Sequence, residues 1–246
     1  MDNGVSMLGS PGLIALVFVI VYFAAIVQVG LGMGFGLTAA PLLALINPEL
    51  VPAPTLVLGM LTAGWGAWRE RKAIIWNEVA TGVFGRIAGV AIGAVILASM
   101  TDRKTFMLVF GLMIGLAVIL SVGGWKFPFT RVNLVGVSTL SGLMGTITSV
   151  GAPPMALIYQ HRPPATARPT LGAFFALGCL LSLIGLAIAS RFGWHDLALA
   201  GWMLPPLFAG IITARFLGGR FDRRYRPALL AISGTAALIL IVRGLT

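Results

Sequence analysis

Charge is what this chain has least of. Only 10% of its 246 residues are charged, and seven of those are acidic. A soluble domain of this length needs a charged surface, so a soluble fold is excluded. Cysteine is nearly absent too: Cys179 stands alone inside an apolar run, which excludes an intrachain disulfide and suggests no metal cluster. The two histidines, His161 and His195, lie in or near loops. No basic residue precedes the first apolar run, where Asp2 stands instead, so the start lacks the basic region of a cleaved signal peptide.

What is present is apolar sequence, at 58% hydrophobic residues. It forms eight runs: Pro11–Ile46, Val51–Trp68, Val79–Met100, Thr105–Val122, Val132–Tyr159, Thr170–Ser190, Leu197–Ala214 and Pro227–Val242. The runs are continuous rather than alternating, which argues against a β-barrel and for an all-α polytopic membrane protein. The net charge of +10 would point to nucleic acid in a soluble protein. Here the basic residues sit in short loops between apolar runs, so they read as headgroup anchors and orientation signals, with no nucleic-acid partner.

Two runs are too long for one crossing. Thirty-six residues at 11–46 would make a helix of about 54 Å, and 28 residues at 132–159 one of about 42 Å, against a hydrocarbon core of about 30 Å. Both contain dense Gly, Thr and Pro. Shifted by 112 positions, "GLGMGFGLTAAPLLALI" (30–46) lies over "GLMGTITSVGAPPMALI" (142–158) without a gap, and seven of 17 positions are identical. Three ordinary runs follow each copy. The chain therefore reads as a duplication, with a first repeat at 1–125 and a second at 126–246, each a broken helical hairpin (11–46, 132–159) plus three transmembrane helices.

Loop charge selects the topology. If every run crosses once, Lys and Arg divide almost evenly between the two sides. If each over-long run enters and leaves on one side, one side receives Arg69, Arg71, Lys72, Lys126, Arg131, Arg162, Arg168, Arg220, Arg223, Arg224 and Arg226. The other keeps Arg103, Lys104, Arg191 and Arg243. The positive-inside rule favours this hairpin arrangement. Each half then crosses three times, so the two repeats have inverted topology.

The hairpins suggest an anion site. Non-helical backbone at membrane depth is tolerated where it lines a cavity or is buried in protein. A Gly-rich turn between helices leaves N–H groups free, and a helix N-terminus adds positive potential. Gly34, Gly36 and Pro41 of the first copy and Gly151 and Pro153 of the second are candidate substrate-binding positions. Thr38, Thr146, Thr148 and Ser149 offer hydroxyl donors, although each could equally bond back to its own helix. Glycine as a packing device is the plainer alternative, and Gly85, Gly89 and Gly93, with Gly111 and Gly115, fit that role. Gln28 lies deep in an apolar run and needs a partner; Gln160 reads as a loop residue.

Arg86 sits about ten residues into the run 79–100. An arginine at a helix centre costs about 2.5–3.5 kcal/mol on insertion scales, so it must face a cavity or a partner. It is a candidate substrate ligand, with backbone bracing or snorkelling as the alternative. Arg215 reads as a headgroup anchor, and Glu78 and Asp196 as helix-start acids.

The paired segments carry a resemblance. Gly32, Gly34, Gly36 and Pro41 match a G-x-G-x-G-type turn followed by proline. Ser141, Gly142, Gly145, Gly151, Pro153 and Pro154 match an S-G-x-x-G…G-G-P-P-like motif, with Ala152 where a second glycine is common. In these motifs, and in length and duplication, the chain resembles the TauE/SafE family of sulfite and organosulfonate exporters. The resemblance implies a multi-pass secondary transporter of the bacterial inner membrane that moves a small anion, such as sulfite or an organosulfonate. It implies no cofactor and no metal. Coupling to protons or to the membrane potential, and a homodimeric state, stay open. An anion channel is the main rival, with an accessory subunit behind it. A membrane enzyme built on Ser149 and His161 lacks an orienting carboxylate.

Overall fold

The computed structural model describes residues 10–125, 127–216 and 225–246. Lys126, Arg220, Arg223 and Arg224, which enter the loop-charge argument, lie outside the described residues, as does the side chain of Arg226. Eleven α-helices make up the described fold: α1 (Pro11–Leu31), α2 (Phe35–Ile46), α3 (Ala53–Arg69), α4 (Trp76–Ser99), α5 (Arg103–Val122), α6 (Arg131–Thr148), α7 (Ala152–Tyr159), α8 (Pro164–Ile188), α9 (Trp194–Trp202), α10 (Leu204–Phe216) and α11 (Tyr225–Leu245). No strand occurs among the described residues.

Both over-long runs are broken, and their arms are unequal. α1 has 21 residues, about 32 Å at 1.5 Å per residue, which is long enough to cross, whereas α2 has 12. α6 has 18 residues and α7 only eight. The reason is where the helix can stop. Nothing interrupts α1 before Gly32, whose φ of 75° closes it, with the Gly32 N–H donating to the Gln28 carbonyl. α6 ends on Ser149, a non-glycine residue at φ 63°.

Six segments have the length and apolarity to cross a membrane: Pro11–Leu31, Pro48–Arg69, Trp76–Ser99, Arg103–Val122, Pro164–Ile188 and Pro227–Leu245. The run read from sequence as one span at 197–214 is a pair, α9 and α10, bent by 49°. Leu204 is followed by Pro205 and Pro206, which cannot donate back to the preceding turn, so the helix restarts there.

The helices pair in a pattern that survives exchange of the two halves. α4 packs on α6 and α10 on α1, while α11 packs on α2 and α5 on α7. α3 packs on α8 and α5 on α11, each pair mapping onto itself. The pattern is compatible with a pseudo-two-fold relation between repeats. It also makes the halves interlock, so neither has a closed core of its own. The largest apolar cluster draws on both, from Val17 and Phe35 to Met144, Leu207 and Leu240.

Side-chain contacts gather the connecting segments into two ends. At one, Arg168 Nε donates to Glu70 at 3.0 Å, Arg162 pairs with Glu78, and Gln160 donates to the Trp125 carbonyl at 3.1 Å. At the other, His195 lies 3.5 Å from Glu49, Arg191 reaches the Ala98 and Met100 carbonyls, and Lys104 reaches the Thr246 carbonyl. The first end collects Arg69, Arg71, Lys72, Arg162 and Arg168, and the second collects Arg103, Lys104, Arg191 and Arg243.

Candidate functional site

The two helix breaks touch. A Cβ built on Gly36 would stand 1.8 Å from the Ser149 carbonyl oxygen, so only glycine lets the first turn of α2 lie against the α6–α7 break. Gly34, the residue that starts α2, has φ 115°, a conformation closed to ordinary side chains. Between the breaks is a cavity of about 30 Å³ lined by residues that include Gln28, Gly34, Gly36, Thr55, Ser149, Gly151 and Cys179. That is room for one or two water molecules.

The N-termini of α2 and α7 both open on this cavity. The first four N–H groups of a helix lack partners within it. In α2, Phe35 N–H donates to Gln28 Oε1 at 2.9 Å and Thr38 N–H to the Gly34 carbonyl at 3.0 Å. The amides of Gly36 and Leu37 remain, in the cavity wall. In α7, Pro153 and Pro154 carry no N–H, so Ala152 supplies the amide at the mouth.

Arg86 stands behind the second break, 1% exposed. Its Nη1 donates to Ser141 Oγ at 2.8 Å and to the Ser141 carbonyl at 3.2 Å, and Ser141 Oγ donates to the Gly151 carbonyl at 2.6 Å. The guanidinium lies 5.4 Å from the Phe174 ring centre and 6.0 Å from that of Phe175. Gly145, Gly151 and Gly178 make room for it: a Cβ on any of them would come within 2.8 Å of its nitrogens. Arg86 Nε has no hydrogen-bond partner. Each carboxylate among the described residues is engaged at one end of the bundle. Glu49, Glu70 and Glu78 sit in ion pairs. Asp102 and Asp196 accept from Thr105 N–H and Gly193 N–H. Arg86 is thus a buried cation with no carboxylate beside it.

The candidate residues divide accordingly. Gly34, Gly36, Ser149 and Gly151 line the central cavity. Thr38, Pro41, Arg86, Thr146, Thr148 and Pro153 are not among its lining residues. The threonines bond back to their own helices: Thr38 to the Gly34 carbonyl (2.9 Å), Thr146 to Gly142 (2.8 Å) and Thr148 to Met144 (2.7 Å). Ser149 Oγ donates to the Pro52 carbonyl at 2.9 Å. Pro41 lies inside α2, where its missing N–H frees the Leu37 carbonyl; Ser233 Oγ of α11 donates to that carbonyl at 2.8 Å. Pro41 and Pro153, aligned by the duplication, therefore do different work. The second break falls five residues later in the repeat than the first (α2 begins at 35, α7 at 152, against a repeat of 112).

Two lining residues outside the candidate set hydrogen-bond through their side chains. Thr55 donates its hydroxyl to the Leu50 carbonyl at 2.7 Å. Gln28, 4% exposed, is the more telling. Its signal in the sequence was an amide in an apolar run, but nothing there said what it bonds.

A larger cavity, about 330 Å³, lies beyond Gln28 toward the first end, with Arg69, Glu70, Arg168 and Arg215 among its lining residues. Three guanidinium groups against one carboxylate give it positive potential toward incoming anions. Arg215 also sits over the Trp65 ring, 5.8 Å from its centre.

A family model described as sulfite exporter TauE/SafE matches residues 17–240, nearly the whole chain. No curated protein and no solved structure matches the chain significantly.

Proposed function

The chain belongs to the TauE/SafE sulfite exporter family, a family of membrane transporters and not of enzymes, and from that premise we propose that it carries a small oxyanion, sulfite or an organosulfonate, between the two helix breaks. One observation carries the reading: the N-termini of α2 and α7 face one small cavity, and behind it stands a buried arginine with no carboxylate beside it among the described residues. Helix N-termini and a desolvated guanidinium both favour negative charge. An anion supplies the counter-charge that Arg86 otherwise lacks.

On this proposal the repeats at 1–125 and 126–246 are inverted, the breaks meet near the membrane midplane, and the arginine-rich end faces the cytoplasm of a bacterial inner membrane. Export of an anion toward the outside then runs down the membrane potential. The central cavity, with room for only one or two water molecules, supports a carrier more than an open pore.

The test is flux into liposomes loaded with sulfite, thiosulfate, sulfonates, nitrite or carboxylates. Saturable flux of a sulfur oxyanion or sulfonate is expected. Conductance without saturation would make the protein a channel. A response to cations or neutral solutes alone would overturn the reading.

A further inference from the structure

Gln28 borders both cavities: it is in the wall of the central one and in the wall of the arginine-lined vestibule. Its side chain bridges the α1–α2 break. Nε2 donates to the Gly32 carbonyl at 3.2 Å, and Oε1 accepts the Phe35 N–H at 2.9 Å. The bridge closes a ring across Gly32, Met33 and Gly34, of which Gly32 lines the larger cavity and Gly34 the central one. The oxygen of Gln28 also occupies a first-turn amide of α2, a donor that a bound oxyanion would take.

We infer that Gln28 is the door between vestibule and central cavity, and that the transported anion opens it by replacing Oε1 on the Phe35 amide. The second clause rests on the anion reading above; the first does not. The amide is well matched to this task. It is neutral, so it holds the N–H more weakly than a carboxylate does, and an anionic oxygen displaces it. The displaced side chain moves toward the vestibule, where Arg69 and Arg215 are exposed and Thr62 lines the wall. The vestibule concentrates anions at the door, and the door gives way to the group those anions carry.

The chain contains its own reporter. Cys179 lines the central cavity and is the sole cysteine of the sequence. A small membrane-impermeant thiol reagent, applied from the vestibule side of proteoliposomes, is expected to reach it through the door. Gln28→Ala and the bulkier Gln28→Met both remove the bridge, and both are expected to label at least tenfold faster than wild type. Wild-type labelling rates in both variants, with the protein still monodisperse in detergent, would overturn the door. Gln28→Glu tests the second clause: a carboxylate held on the Phe35 amide competes with the anion, so the KM for flux should rise at least tenfold with a smaller change in kcat. An unchanged KM would overturn displacement by the anion. Labelling needs no substrate. Faster labelling in a protein that moves no anion would therefore uphold the door and sink the transport reading instead.

Discussion

The two helix breaks fall in the two paired segments, five residues out of register, and are held open by different chemistry. At the α1–α2 break the backbone does the work: Gly34 takes a φ of 115°, Gly36 admits the neighbouring turn, and a neutral amide, Gln28, ties the ends. At the α6–α7 break side chains do it: Ser149 accepts a left-handed backbone, Ser141 holds the Gly151 carbonyl, and Arg86 donates to Ser141. The first break leaves the Gly36 and Leu37 amides in the cavity wall, while prolines strip α7 of two donors. The first offers N–H groups and the second offers fixed charge. On the proposed reading, an anion between the breaks meets both.

Breaking the contact between the breaks should have the largest effect. Gly36→Leu places atoms where the Ser149 carbonyl stands, so flux should vanish, while Gly115→Leu, with open space around its Cβ, should retain flux in the same liposome assay. Next comes the charge of the second break. Arg86→Gln removes charge-assisted bonds worth about 1.5–3 kcal/mol, so anion affinity should fall roughly ten- to hundredfold by titration. Arg86→Lys should recover part of it if point charge is what matters.

Smaller changes sharpen the contrast. Ser149→Ala removes the hydroxyl that ties the second break to Pro52, at about 0.5–1.5 kcal/mol, and should weaken affinity roughly two- to tenfold. Ser233→Ala orphans the Leu37 carbonyl that Pro41 frees. It should lower the melting temperature by about as much free energy, roughly 1 kcal/mol, and leave KM unchanged. The smallest effect belongs to Pro154→Ala, which returns one N–H to α7. Anion affinity should rise less than about threefold, and a fall would mean that proline rigidity outweighs the added donor.

The membrane class and the two over-long runs were legible before any coordinates, because hydrophobic length is a property of the chain itself. Arg86 was legible for a related reason: a charge deep in an apolar run must be answered by something. The bend between α9 and α10 was present as Pro205 and Pro206, yet an apolar run gives no measure of angle. The hydroxyls divided in a way that spacing does not reveal. Thr146 and Thr148 satisfy their own helix, while Ser149, one residue on, leaves the helix and reaches Pro52.

Register was hidden for the same reason. The alignment that pairs Pro41 with Pro153 places the second break five residues early, because where a helix stops depends on which partners receive its freed carbonyls and amides. Ser233 comes from α11 to meet one, and Gln28 from α1 to meet another. The sequence by itself determined that this chain lies in a membrane and that both over-long runs must break. Which residues face the cavity, that Arg86 has no carboxylate beside it among the described residues, and that Gln28 borders two chambers were decided by packing. Those facts depend on groups far apart in the chain, and no local pattern of hydropathy encodes their distances.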